Sequence, residues 1–354
     1  LIVTAAADAK GQAPPPALAE GAAHDAPRRI AESLCGGEPA AVFLGEIAAN
    51  HPRRSQLLAL ASHLARLTGA RLGVFGDGPN GVGGYLVGAL PDAGTGLNAR
   101  QMIEQPRRAY LLLHAEAELD TGSARAARAA MHAAECVVAL SAFRHRALEY
   151  AQVLLPVAPF TETAGSFVNI EGRLQKFTGV VRPLGETRPA WKVLRVLGNL
   201  AGLQGFGFET IEDVRAELLE VVGNIEARLD CTAAEALAAP AAADVQVLER
   251  VGEVPIYHVD SVVRRASSLQ RTRDAQVGVA WLPGSRIDAL GLQPGDRVRV
   301  LQDGGEAVLP FARDDRLPAN VVRVAAGCRE TAGLGALYGS VTLERVPAQE
   351  RVNA

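Results

Sequence analysis

The chain is predicted to be an α/β protein, a doubly wound and mainly parallel sheet followed by a small β-barrel domain. Three observations carry the prediction. Between Ala40 and Tyr150 short apolar runs alternate with helical patterns. Residues 152–185 are then punctuated by Pro156, Pro159, Gly165, Gly172 and Gly179, and beyond Val251 the pattern changes to short strands joined by turn residues. A strand covered on both faces reads as a continuous apolar run, and its parallel neighbour is reached through a helical crossover.

Taken in order, Leu1-Ile2-Val3-Thr4 reads like a strand entered midway, without the charged segment and cleavage site of a signal peptide. The chain is therefore expected to be a fragment or a cleaved piece. Residues 5–27 are rich in Ala, Pro and Gly, so segment 1–30 is expected to be loop, with order beginning near Ala31. The α/β domain is expected over 31–230. Its strands are Ala40–Leu44, Arg71–Phe75, Ala109–Leu113 and Cys136–Leu140, and its helices Ser55–Leu67, Val82–Leu90, Ser123–Ala134 and Arg144–Tyr150. Two more helices are expected: Pro189–Gly202, with Trp191, Leu194, Leu197 and Leu200 on one face, and Ile211–Leu229. An Ala-rich linker is expected over 231–250. The β domain over 251–354 takes strands from Gln276–Leu282, Asp296–Leu301, Glu306–Phe311 and Val321–Ala325, with turns at Asp303-Gly304-Gly305 and Arg313-Asp314-Asp315.

Composition narrows the function. With 354 residues, 48% hydrophobic and 21% charged, the chain can bury a substantial core. A net charge of −3 gives no broad electrostatic reason to expect nucleic acid or an anionic membrane as a partner. No apolar run approaches the roughly 18 residues of a spanning helix. Cys35, Cys136, Cys231 and Cys328 form no Cys-x-x-Cys pair, which argues against an iron–sulfur cluster or structural zinc here and for buried free thiols.

Two motifs invite a chemical reading. Gly76-Asp77-Gly78-Pro79-Asn80-Gly81 satisfies G-x-G-x-x-G, but Pro79 removes an N–H from the loop and the next acid, Asp92, sits among Pro and Gly rather than after a strand. A turn into a helix is the expected role. The seven histidines hold no ligand spacing; His132 and Cys136 stand four apart without a third ligand nearby. No catalytic constellation is apparent.

The richest stretch runs from Val153 to Gln175, Val-Leu-Leu-Pro-Val-Ala-Pro-Phe-Thr-Glu-Thr-Ala-Gly-Ser-Phe-Val-Asn-Ile-Glu-Gly-Arg-Leu-Gln. An apolar strand delivers Glu162, Gly165, Asn169 and the turn Glu171-Gly172-Arg173 into one loop. Its apolar flanks Leu154, Phe160, Phe167 and Ile170 suggest burial, and Glu162, Glu171 and Arg173 are then expected to pair and hold the loop rigid. This pattern resembles the signature of the molybdopterin oxidoreductase superfamily, in which the region lines a pterin cofactor.

The wording from Val138-Ala139-Leu140-Ser141-Ala142-Phe143-Arg144 through Ala158–Thr163 to Arg173-Leu174-Gln175 is closer to one branch, the large iron–sulfur subunit of bacterial NADH:quinone oxidoreductase, complex I. Asn80-Gly81-Val82-Gly83, Arg108–Leu113, Val254–Tyr257 with Val263-Arg264-Arg265-Ala266, and Ile287–Val298 agree with it; the last resembles the superfamily's C-terminal double-psi β-barrel. The resemblance implies a longer subunit, of which this chain is the C-terminal half, whose 2Fe–2S and 4Fe–4S clusters lie in an N-terminal part. It also implies a scaffold in the peripheral arm of complex I, on the cytoplasmic side of the bacterial inner membrane, touching other arm subunits. In that branch Glu162, Gly165, Asn169, Glu171, Gly172 and Arg173 match the superfamily motif in a structural role, with no cofactor or metal in this segment. The alternative is a fragment of a molybdenum or tungsten oxidoreductase of formate dehydrogenase type, binding a molybdopterin dinucleotide.

Overall fold

The computed structural model describes residues 1–18, 25–37, 39–76, 78–91, 96–228 and 247–348. The chain divides into two compact units. The first comprises Leu1–Gly83, Val168–Leu174 and Gly223–Asp244; the second comprises Gly84–Phe167, Gln175–Val222 and Val245–Ala354.

In the first unit the opening residues form a helix, α1 (Ile2–Ala9), and not a strand. Ala5-Ala6-Ala7 supply the strongest helix formers and outweigh the β-branched start. The helix is also buried: α1 packs on α2 (Asp25–Cys35) and α4 (Arg54–Thr68) through Val3, Ala6, Ala31 and Leu64, so order begins well before Ala31. A short helix α3 (Glu46–Ala49) follows β1 (Ala41–Leu44), and α4 carries the chain to β2 (Arg71–Val74), parallel to β1. Gly69, with φ +76°, ends α4 in the left-handed conformation that glycine adopts without cost.

Helix α5 (Gly81–Leu86) stops short of the expected Leu90 because the chain turns at Gly88, φ +66°. Helix α6 (Ala99–Glu104) opens on a capping box, in which Asn98 and Gln101 satisfy each other's backbone N–H. The second unit then builds a parallel sheet of β3 (Ala109–Leu113), β4 (Cys136–Ser141) and β5 (Val153–Pro156), with α7 (Ala124–Ala133) as the crossover. Parallel pairing is as the sequence specifies, but the strands divide between a two-stranded and a three-stranded sheet. Runs as short as Arg71–Val74 hold few ladder bonds, so their pattern does not dictate which neighbour each takes.

The expected helix Arg144–Tyr150 is a single tight turn, Arg146–Glu149, because His145 is extended and its Nδ1 accepts the Ala147 N–H at 3.2 Å. Strands β6 (Gly165–Val168) and β7 (Leu174–Phe177) form a separate two-stranded sheet. Helix α8 (Ala190–Leu200) follows. Helix α9 (Ile211–Val222) ends at Gly223, φ +68°, earlier than the expected Leu229. Most of the Ala-rich linker, with Cys231, lies outside the described residues. Of the other cysteines only Cys328 is buried; Cys35 is half-buried, and Cys136 is exposed at the first position of β4.

The last part is a seven-stranded mixed sheet in the order β13-β8-β12-β9-β11-β10-β14. Its strands are β8 (Glu249–Val251), β9 (Ala280–Leu282), β10 (Arg297–Gln302), β11 (Gly305–Arg313), β12 (Val321–Val324), β13 (Tyr338–Ser340) and β14 (Thr342–Val346), with α10 (Gly284–Ala289) after β9. The expected strand Gln276–Leu282 shortens at its start, where Gly278 turns at φ +72°. Asp303 and Gly304 make the β10–β11 hairpin, both with positive φ. Only Val341 separates β13 from β14, the two edges of the sheet, so the sheet curls until its edges approach.

Its core is Leu282, Val298, Val300, Leu309, Val322, Val324 and Leu334. Arg250, 2% exposed, crosses this core and donates to Val324 O, Ala325 O and Gln302 Oε1 at 2.9–3.2 Å. Burial pulls its guanidinium down to about 10. Arg250→Ala should therefore leave these acceptors unpaired over a cavity and cost about 2–4 kcal/mol, read as a lower denaturant midpoint at unchanged slope.

A second expectation concerns acid. The Arg316 hydrogen bond holds the Asp314 carboxyl at about 2, against the opposing effect of burial. A depressed carboxyl stabilises the fold above its unfolded value of 3.8 and loses that contribution as pH falls toward 2. Asp314→Asn should flatten the acid limb of the stability curve in that window, while an unchanged limb would assign the acid loss to other groups.

Candidate functional site

The Val153–Gln175 stretch begins where β5 leaves the parallel sheet. Val157 continues the ladder by donating to Ser141 O at 3.1 Å, and the chain turns at Phe160–Glu162. Glu162 accepts the Leu184 N–H at 3.0 Å, while Val180 donates to Thr161 O at 2.8 Å. These two contacts bind the 160s to the 180s. Gly179 permits the approach, since a Cβ there would lie 3.0 Å from the Glu162 backbone. Gly165 has a similar reason: a Cβ would meet the Phe177 ring at 2.4 Å. Arg215, nearly buried, donates to Ser166 Oγ at 2.8 Å.

Asn169 closes the turn that follows. Its Oδ1 accepts from Glu171 N at 3.1 Å and Arg173 N at 2.9 Å, and Gly172, φ +76°, completes the reversal. Because one amide side chain satisfies the turn's backbone, Glu171 and Arg173 are left facing solvent, 4.0 Å apart. The expected internal bonding is present in part, with Glu162 on backbone, Glu171 beside Arg173 and Asn169 Nδ2 donating to Glu171 at 3.5 Å, but the expected burial is corrected: Glu171, Arg173, Phe160 and Ile170 are exposed. An exposed pair of this kind contributes little to stability.

The glycine-rich loop behaves as a turn, with Gly78 at φ +123° and Asn80 Oδ1 accepting the Val168 N–H at 2.8 Å. Asp77 and Asp92 lie outside the described residues.

A buried cluster that the motifs do not announce lies in the second unit. Past β3 the chain carries acids at alternate positions, Glu116, Glu118 and Asp120, and His114 stands there at φ +53°. Glu116, 2% exposed, takes Arg265 on both oxygens at 2.7 and 3.0 Å and Arg264 at 3.5 Å. Arg264 also holds Asp120. Glu118 accepts the Tyr150 hydroxyl at 3.2 Å. Burial raises the Tyr150 phenol far above its ordinary range, with the Glu118 charge acting in the same direction. Burial also works to raise the Glu116 carboxyl, but the Arg265 hydrogen bond and the charges of Arg265, His145 and Arg264 together carry it below the usual range.

Glu116, Glu118 and His145 each place a potential ligand atom within 4.8 Å of the others. The donor set does not suit a metal. Arg265 occupies both Glu116 oxygens, and His145 Nδ1 is engaged by the Ala147 N–H. The cluster is a charge lock. Cys328 lines a cavity of about 280 Å³ beside it with Glu116, His258, Arg264 and Arg265; burial raises its thiol, which disfavours a nucleophilic thiolate.

A family model described as Molybdopterin oxidoreductase matches residues 12–200, more than half of the chain. The chain belongs to this family. A probable oxidoreductase of Bacillus subtilis (strain 168) is 37% identical over 75 residues, which are 21% of this chain and 8% of that protein. A "Putative formate dehydrogenase" of Staphylococcus aureus (strain bovine RF122 / ET3-1) is 40% identical over 53 residues, 15% of this chain and 5% of that protein. The matched stretches are thus a small part of either relative's length. Among solved structures, acetylene hydratase from Pelobacter acetylenicus aligns with TM-score 0.46 and 16% identity over 68% of this chain and 44% of that one. The molybdopterin oxidoreductase match includes the Glu162–Arg173 stretch and Glu116, Glu118 and Asp120, but Arg264 and Arg265 lie beyond it.

The lock predicts its own titration. Arg265→Ala leaves a buried carboxylate partly unpaired and should cost about 3 kcal/mol in chemical denaturation. Since Glu116 is depressed in the fold, its contribution is present above 4.5 and lost as pH falls through the folded value; Glu116→Gln should lose stability at neutral pH and show a shallower acid slope. Equal acid slopes in the two proteins would contradict the assignment.

Proposed function

We propose that this chain forms part of the frame of a molybdopterin-family oxidoreductase that moves electrons from a small reductant, and that it supports the redox centres without supplying their ligands. The observation that carries this reading is the use of two motif side chains: Glu162 and Asn169 spend acceptors on backbone N–H groups of the chain itself.

Two finer forms are compatible with the family. The name of the Staphylococcus aureus relative favours a formate dehydrogenase-like form, which would be a molybdenum or tungsten enzyme. In that form the resemblance would assign the 162–173 loop to a pterin dinucleotide. Asn169 Oδ1 is occupied by its own turn and Glu162 by the Leu184 N–H, whereas the exposed Glu171 and Arg173 stay open to a ligand. No catalytic step is assigned to them. The other form is the large iron–sulfur subunit of NADH:quinone oxidoreductase, supported by the wording of Ala158–Thr163 and Arg173-Leu174-Gln175. It would place the chain among peripheral-arm subunits at the cytoplasmic face of the bacterial inner membrane, with iron–sulfur clusters held elsewhere in the subunit. Among the described residues no helix is long and apolar enough to cross a membrane.

Analysis of the purified chain for metals and pterin separates the forms. The frame reading expects neither stoichiometric iron, molybdenum or tungsten nor pterin released on denaturation, and no NADH oxidation by the chain alone. Stoichiometric molybdenum or tungsten with released pterin would overturn it in favour of the formate dehydrogenase form.

A further inference from the structure

Two buried groups beside the charge lock are left short of partners. Glu118, 4% exposed, receives one neutral donor, the Tyr150 hydroxyl, and among the described residues no cation pairs with it. His145 is 7% exposed; its Nδ1 is engaged by the Ala147 N–H, and among the described residues its Nε2 meets no hydrogen-bond partner. The two side chains sit together, since a ring nitrogen of His145 and an oxygen from each of Glu116 and Glu118 lie within 4.8 Å of one another. The arginines do not supply the missing contacts: Arg265 is spent on Glu116, and Arg264 on Glu116 and Asp120.

A carboxylate removed from water needs donors, and a buried imidazole nitrogen needs a partner whichever proton form the ring takes. One small molecule that both donates and accepts answers both needs, and two hydrogen bonds through a single oxygen span about 4–5 Å. A cation would meet Glu118 but would stand close to the guanidinium groups already gathered on Glu116, and like charges in a buried site repel. Water carries no such penalty, and internal waters characteristically make about three hydrogen bonds to buried polar groups. Glu116 also lines the cavity of about 280 Å³, which brings space for water up to the lock.

We propose that this site binds one internal water molecule, which donates to Glu118 and pairs with His145 Nε2. It ties the acids that follow β3 to the turn that follows β4 through solvent, where the protein's own side chains leave the link open. The proposal does not rest on the oxidoreductase reading.

Nuclear magnetic resonance on the purified chain with ring-labelled histidine reads such a water directly. The His145 ring signals, assigned by their loss in His145→Gln, should show a cross-relaxation peak at the water frequency, with the sign of a molecule that tumbles with the protein. Tyr150→Phe keeps the ring that packs in the parallel-sheet core and removes the hydroxyl, whose exchange with solvent gives a similar signal; the peak should persist in that variant. Dialysis against a chelator should leave both the peak and the melting midpoint unchanged. A crystal structure of the unaltered chain should place a water oxygen about 3 Å from Glu118 and from His145 Nε2. Absence of the peak in the unaltered chain, its loss in folded Tyr150→Phe, its loss on chelation, or a direct hydrogen bond between His145 and Glu118 in the crystal would each overturn the proposal.

Discussion

Two guanidinium groups closing on one carboxylate are the constraint on which the larger unit depends. Glu116 lies just past the end of β3, and Arg264 and Arg265 come from a segment 148 and 149 residues later. Removing Glu116 from water is favourable only because both oxygens are met, and Arg264 is itself neutralised by Asp120. A contact of such separation forms only when the parallel strands and the segment leading into the curled sheet are both in place. Phe143 adds to it, its ring lying 4.8 Å from the Arg265 guanidinium.

This arrangement divides the labour within the chain. Short parallel strands bring polar loops to their carboxyl ends, where α/β proteins place their chemistry. Here those loops bind the protein to itself: Glu116 to the arginines, Glu118 to Tyr150, Glu162 to Leu184 and Asn169 to its own turn. Fold membership leaves the chemistry open, because a family frame can be kept while particular side chains change employment. Between Glu162 and Arg173 the family signature binds backbone of this chain through Glu162 and Asn169.

The legible parts of the sequence are those set by local rules. Continuous apolar runs mark β1 to β4, the helical period marks α4 and α8, and Asp303-Gly304 marks a two-residue hairpin that the backbone adopts with positive φ at both positions. What local rules miss is non-local. The Leu1–Thr4 run has strand composition but becomes helix because it can bury Val3 and Ala6 against α2 and α4. The apolar neighbours of the 162–173 loop point to burial, yet the loop's exposure is decided by what satisfies its turn backbone, which Asn169 does alone. Glu116 with Arg265 is invisible as a pair, since alternating acids after a strand and two adjacent arginines are each ordinary. Only the fold brings them together.

Whether the motif side chains hold this chain's own backbone is read directly by amide hydrogen exchange. The amides of Leu184, Glu171 and Arg173 should be protected in the native chain. Asn169→Ala should release those of Glu171 and Arg173 while leaving Leu184 protected, and Glu162→Gln, which keeps a carbonyl acceptor, should weaken Leu184 alone. Free exchange of all three amides in the unaltered chain would contradict the claim that the signature residues are spent on the frame.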